Sequence, residues 1–140
     1  MGRVRPSLPP HPIRVFIADD DRDDCEMIEA ALRRVDATIQ IHVFPSGRDM
    51  LICLKNTSEN DLPQLLILDY NMPHLTGCQV LRQIAGKSRY KDIVKYILST
   101  SGNPQYMDEC RDSGADAYYL KPNTFQELTV LAGRMLSPMC

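Results

Sequence analysis

The sequence predicts an α/β protein, a three-layer sandwich in which a five-stranded parallel sheet is flanked by five helices. Three observations carry that prediction. Short apolar runs alternate five times with amphipathic stretches. Most of the runs are apolar at both odd and even positions, as in parallel strands buried on both faces. Each amphipathic stretch opens on a recognisable start signal, the pattern of a strand-helix repeat rather than of separate helical and strand domains.

The strands are expected at Ile13–Ala18, Ile39–Phe44, Leu65–Leu68, Tyr96–Leu98 and Ala117–Leu120. The first helix places Ile28, Ala31, Leu32 and Val35 on one face. Acids stand at its start and Arg33-Arg34 near its end, in keeping with the helix macrodipole. Ser46-Gly47-Arg48-Asp49 opens the second helix as a variant capping box, and Thr76-Gly77-Cys78-Gln79 opens the third, which Gly86 closes. Asn103-Pro104 starts the fourth, a cap followed by proline at the first helical position, and Gly114 stops it. Thr124-Phe125-Gln126-Glu127 is a capping box for the fifth. Five such units suggest the flavodoxin-like strand order 2-1-3-4-5, in which ligands bind beyond the carboxyl ends of the strands.

The 140 residues suit one domain, expected over residues 13–137, with residues 1–12 as a disordered or extended, proline-rich lead-in. A formal charge of −2 argues against a nucleic-acid surface, which needs a basic stripe. The longest apolar run, Met50–Leu54, is far short of the roughly 20 residues of a spanning helix, so no membrane insertion is expected. Cys25, Cys53, Cys78, Cys110 and Cys140 are scattered, odd in number and without a C-x-x-C pair. They read as reduced thiols of a cytoplasmic protein rather than a disulfide framework or a zinc site. His11, His42 and His74 are spread too widely to form a metal cluster.

The residues that follow the strands carry the chemistry. Asp19, Asp20 and Asp21 follow the first strand, Asp69 the third, Ser99 the fourth and Lys121 the fifth. Strands one and three are neighbours in the expected order, so Asp19 or Asp20 would converge with Asp69. Two carboxylates about 4 Å apart repel by about 4 kcal/mol at an effective dielectric of 20, so such a cluster needs a cation. Hard oxygen ligands suit Mg²⁺, which is held by one or two carboxylates together with a phosphate. A carboxylate such as Asp69 is then a competent nucleophile toward a phosphoryl group. Lys121 supplies a second positive charge, and Ser99 a hydroxyl to a phosphoryl oxygen. Taken singly, each residue has a plainer reading. Asp21, Asp23 and Asp24 fit a solvated helix start, Asp69 a turn before Pro73, Ser99 a local backbone partner and Lys121 an exposed lysine. Their coincidence at four strand ends favours one phosphoryl site.

The pair Asp19-Asp20, the segment Asp69-Tyr70-Asn71-Met72-Pro73 with Gly77, the hydroxyl of Ser99 and the pair Lys121-Pro122 resemble the receiver domain of two-component response regulators (the CheY-like family), of the stand-alone type. The resemblance implies that Asp69 accepts a phosphoryl group from a sensor histidine kinase or a histidine phosphotransfer protein. It implies that Asp20, Asp69 and the backbone carbonyl of Asn71 bind Mg²⁺ directly, with Asp19 acting through a water. Ser99 and Tyr118 would be the switch residues. Lys121 would meet the phosphoryl group beside a bond to Pro122 that is often cis in the family. The face of the fourth helix, fifth strand and fifth helix would change its preference for a downstream protein or for a second copy of the chain. Serine at 99 in place of the commoner threonine retains the hydroxyl but loses a methyl that restricts the rotamer. Asn123 stands where an aromatic is common, and the segments Asn56–Leu62 and Lys87–Asp92 are longer than the family minimum, a likeness to phytochrome-associated regulators. Ser101 and Asn71 would flank the path of attacking water.

Other readings stay open on sequence grounds. A docking module with a receiver fold that works without phosphorylation would share these residues, and a receiver fragment of a hybrid kinase would look the same. An aspartate-nucleophile phosphohydrolase needs a second carboxylate two residues after the nucleophile, where this chain has Asn71. A flavin-binding electron carrier would set its phosphate against the acidic run 19–24, which repels it. The expectation is thus a signalling phosphoacceptor, not an enzyme in the ordinary sense.

Overall fold

The computed structural model describes residues 12–139. The chain alternates β1 (Arg14–Ala18), α1 (Arg22–Val35), β2 (Gln40–Phe44), α2 (Gly47–Asn56), β3 (Leu65–Leu68), α3 (Gly77–Ile84), β4 (Val94–Ser99), α4 (Pro104–Asp112), β5 (Ala117–Leu120) and α5 (Phe125–Leu136). All strand pairs are parallel, in the order β2-β1-β3-β4-β5. The expected architecture is therefore the observed one. The lead-in expected over residues 1–12 falls almost wholly outside the described residues, as do His11 and Cys140.

Strand alternation sorts the core into two layers. Val15 and Ile17 of β1, Leu65 and Ile67 of β3, and Tyr96 and Leu98 of β4 pack against α1 and α5 through Ile28, Leu32, Leu128, Leu131 and Met135. Phe16, Ala18, Leu66, Leu68 and Ile97 face the other way, onto α2 and α3 through Met50, Leu54, Val80, Leu81 and Ile84. Burial of a Leu or Ile side chain contributes about 1.5–3 kcal/mol, so these two layers hold the strand ends in register. β2, at the sheet edge, is largely exposed despite its apolar run, and Val35 at the last position of α1 is also exposed.

The helix starts follow their signals. Asp21, Ser46, Thr76, Asn103 and Thr124 are the caps, each accepting a hydrogen bond from a backbone N–H of the first turn. The reciprocal box is complete only at α3, where the Gln79 side chain accepts from the Thr76 N–H. At α5 the Glu127 carboxylate instead accepts the Thr124 hydroxyl. Gly114, at φ 110°, turns the chain out of α4 in a conformation a Cβ would disfavour. The two long segments each contain one 3₁₀ turn, Glu59–Asp61 and Ser88–Tyr90. No helix among the described residues is long and apolar enough to cross a membrane.

The reading of all cysteines as reduced thiols is corrected. Cys78 in the first turn of α3 and Cys110 in the last turn of α4 form a disulfide, both fully buried, while Cys25 and Cys53 are free. The two positions are 32 residues apart, and only the packing of α3 against α4 brings their Cα atoms to 5.0 Å, so spacing along the chain carries no trace of the pair. On chain-entropy grounds, closing a loop of this length constrains the unfolded chain by about 3–4 kcal/mol. Reduction with an excess of dithiol should lower the urea midpoint of unfolding by roughly 1 M or more, given a slope of about 1–3 kcal/mol per M. Equilibrium urea titrations of the oxidised and reduced chain, with free thiols counted in each, test this.

Candidate functional site

The carboxyl ends of β1, β3, β4 and β5 open on one edge of the sheet, and the residues placed there by the sequence meet as that order requires. Asp19 directly follows β1 and is almost fully buried, and Asp69 directly follows β3 and is buried as well. The Asp69 N–H donates to the Ala18 carbonyl at 2.9 Å, which ties the two strand ends together. Asp20 is exposed beside them. One carboxylate oxygen from each of Asp19, Asp20 and Asp69 lies within 4.8 Å of the others.

Lys121 reaches this cluster from the end of β5. Its Nζ donates to Asp19 Oδ2 at 2.8 Å and to Asp24 Oδ2 at 2.7 Å, and stands 3.7 Å from Asp69 Oδ1. Its backbone N–H donates to the Ser99 carbonyl at 2.7 Å, joining the ends of β4 and β5. There is no cis peptide bond among the described residues, so the bond to Pro122 is trans. This differs from the cis form that the family resemblance implied; the two isomers lie close in energy before proline.

Burial and like charge govern the titration of the cluster. Desolvation raises the Asp69 carboxyl from 3.8 to about 7, with the charge of Asp19 adding to the rise and Lys121 opposing it. Asp19 is raised by burial against the pull of its hydrogen bond from Lys121. Burial works against the charge of Lys121, yet its bonds to Asp19 and Asp24 outweigh that and hold the ammonium protonated well above the usual lysine range. The Cys25 thiol, 3.4 Å from the Asp19 carbonyl, is pushed up to about 11 by burial and by the charge of Asp19, so it is an inert neighbour.

The other expected residues lie around this centre. Ser99, fully buried at the end of β4, accepts a hydrogen bond from the Ser101 N–H at 3.1 Å. Tyr118 on β5 donates its hydroxyl to the Ser101 carbonyl at 2.6 Å, linking that strand to the loop after Ser99. Asn71 is exposed, between the buried Tyr70 and Met72. Gly77 starts α3 directly against the site: a Cβ there would meet the Asp69 carbonyl oxygen at 2.6 Å and the Ile97 side chain at 2.8 Å.

Two features escaped the sequence. Asp24 read as a solvated acid of a helix start, yet it is a direct partner of Lys121; its position in the first turn of α1, one turn after Asp20, was the available signal. The residue after Asp69 is the second. Tyr70 donates its hydroxyl to Glu109 Oε1 of α4 at 2.9 Å and stacks on Tyr106 with ring centroids 4.3 Å apart. Arg82 of α3 pairs with Glu109 Oε2 at 2.9 Å and donates to the Ser113 hydroxyl at 3.1 Å. Burial, and then the bond to Glu109, push the Tyr70 hydroxyl up to about 12, so it remains a donor.

The donor set fits a hard divalent cation. Three carboxylates share one small space, two of them buried, and the one ammonium among them makes no hydrogen bond to Asp69.

Two outcomes follow. Because the folded chain holds the Asp69 proton more tightly than the unfolded chain, the stability this group contributes is full below pH 3.8 and is lost as pH rises to about 7. In EDTA, Asp69→Asn should therefore gain stability relative to the unsubstituted chain across that interval and hold the gain above it, as urea titrations at pH 5 and pH 8 would read. Gly77→Ala should cost about 1–3 kcal/mol by pushing α3 off the Asp69 backbone, a loss measurable by the same titration.

Known proteins resemble this chain in sequence and in fold. Residues 15–132 match the response regulator receiver domain family. The two-component response regulator ORR4 of Oryza sativa subsp. indica is 28% identical over 138 residues, covering 87% of this chain but 59% of the relative, so the chain spans less than two thirds of that protein's length. ORR11 of the same subspecies is 30% identical over 128 residues, covering 91% of this chain and 82% of the relative. Among solved structures, the phosphorylated cyanobacterial phytochrome response regulator RcpA shares the fold with a TM-score of 0.80 at 24% identity, over 90% of this chain and 92% of that one. By that match along most of its length and by its likeness to ORR11, this chain belongs to the response regulator receiver domain family.

Proposed function

We propose that Asp69 is the phosphoacceptor of a two-component or phosphorelay system, and that its phosphorylation depends on Mg²⁺. The observation that carries this reading is the meeting of Asp19, Asp20, Asp69 and Lys121 at one sheet edge, with a buried carboxylate that has both a cation and room for a metal beside it. An Asp69 carboxylate oxygen attacks the phosphorus of a phosphohistidine on a sensor histidine kinase or a histidine phosphotransfer protein. The P–O bond forms as the P–N bond breaks, and its electron pair leaves with the imidazole, which takes up a proton. Asp20, Asp69 and the Asn71 carbonyl would hold the Mg²⁺, and Asp19 would support it from beside them. The ion supplies charge neutralisation to the carboxylates and to the transferring oxygens.

Lys121 faces the incoming phosphoryl oxygens, and Ser99 turns its hydroxyl from the Ser101 N–H toward them. Release of Ser101 by Ser99 frees the loop to which Tyr118 is bonded, so both switch residues respond to one event. The added charge of about −1.5 to −2 biases two arrangements of the α4–β5–α5 face. Leu120 at the end of β5 and Val130 on α5 are exposed apolar side chains, which suit a downstream protein or a second copy of the chain. The role is that of a signalling phosphoacceptor rather than an enzyme.

Incubation with Mg²⁺ and a small phosphodonor should add the mass of one phosphoryl group. The gain should vanish in Asp69→Asn and in EDTA, and form more slowly in Lys121→Ala by roughly 10²-fold, as expected for loss of a charge aimed at the transferring oxygens. Intact-mass spectrometry reads all four. A gain that persists in Asp69→Asn moves the acceptor elsewhere, and no gain with any donor favours the phosphorylation-independent docking module.

A further inference from the structure

The reading above leaves Asp24 without a role, and its geometry is specific. An ammonium has three N–H donors. In Lys121 two are committed, to Asp19 Oδ2 at 2.8 Å and to Asp24 Oδ2 at 2.7 Å, while Asp69 Oδ1 at 3.7 Å is beyond hydrogen-bonding distance. The ammonium is therefore drawn toward α1 and away from the third strand. Asp24 is held there by its helix: its N–H donates to the Asp21 cap, and it occupies the first turn of α1.

The two anchors differ in cost. The Asp19 side chain is 2% exposed and that of Asp24 37% exposed. Breaking a buried pair leaves an uncompensated charge out of water, whereas an exposed carboxylate is resolvated at once. Of the two bonds, the one to Asp24 is the one that can exchange.

We propose that Asp24 is a positioning residue for Lys121. It holds the ammonium back from Asp69 in the unphosphorylated protein, and a phosphoryl oxygen arriving on Asp69 takes its place. Asp19 stays bonded throughout as the pivot, so the ammonium swings between two acids instead of travelling. Neutralising Asp24 removes the competitor and favours the phosphorylated arrangement. The inference rests on Asp69 being the acceptor.

The test uses the full chain with Mg²⁺ and beryllofluoride, which mimics an aspartyl phosphate, in unsubstituted protein, Asp24→Asn and Asp24→Glu. Affinity is read by titration, and the Lys121 ammonium by ¹⁵N NMR without beryllofluoride. Asp24→Asn should bind beryllofluoride roughly three- to tenfold more tightly, the size expected when one charge-assisted bond at a half-exposed site no longer has to be broken. Its Lys121 ammonium signal should shift in the free protein. Asp24→Glu, which retains the charge, should lie within about twofold of the unsubstituted chain. A purely structural helix-start acid would lower unfolding stability in Asp24→Asn and leave the affinity unchanged, and that result overturns the proposal. So does weaker binding by Asp24→Asn, which would make Asp24 a support of the phosphorylated state. If the unsubstituted chain binds no beryllofluoride, the assignment of Asp69 itself fails, and the role of Asp24 falls with it. A normal affinity in the unsubstituted chain with no change in Asp24→Asn overturns only the latter.

Discussion

One ammonium group holds together the acidic edge of this protein. Lys121 is carried by the last strand, 102 residues away from Asp19 in sequence, and it makes the only ion pairs that join the carboxylates after β1 and β3 among the described residues. A parallel sheet brings all strand ends to one edge whether or not their side chains are compatible, and here it brings three carboxylates into one space. The consequence is visible in Asp69, whose proton is held to about pH 7 because burial and the charge of Asp19 outweigh a lysine at 3.7 Å. The fold's core strength and the site's electrostatic tension are thus two faces of the same arrangement. Leu66, Leu68 and Ile97 are packed well enough to hold the strand ends where their charges repel.

What the sequence disclosed and what it concealed divide along one physical line. Features set by a few neighbouring residues were legible: the caps Ser46, Thr76, Asn103 and Thr124, the strand runs, the turn at Gly114 and the acids and lysine just past their strands. The order of the strands followed from their number and parallel character, and with it the convergence of Asp19, Asp20 and Asp69. Features set by how a helix is rotated about its axis were hidden. Asp24 points at Lys121 and Asp23 does not appear in that network, although both are acids of the same first turn. The exposure of β2 was hidden for a related reason, since apolar content does not tell an edge strand from a central one.

Tyr70 connects the site to the rest of the molecule. It follows the acid at position 69 directly, so any displacement of that backbone displaces its ring, which stacks on Tyr106 and bonds Glu109 of α4. Arg82 brings α3 into the same network through Glu109 and Ser113. On the other side, Ser99 and Tyr118 both bond Ser101, one at its N–H and the other at its carbonyl. Two short chains of contacts therefore leave the acidic edge, one along α3 and α4 and one along the β4–α4 loop, and both arrive at α4.

The link between Cys78 and Cys110 sets the geometry open to α4. One cysteine directly follows Gly77, where a Cβ would strike the Asp69 carbonyl oxygen; the other sits in the final turn of α4. With that tether closed, the carboxyl end of α4 is joined covalently to α3, while its first turn is held by the stacking of Tyr106 on Tyr70. An aromatic stack can part where a covalent link cannot, so the two ends of α4 are unequally restrained.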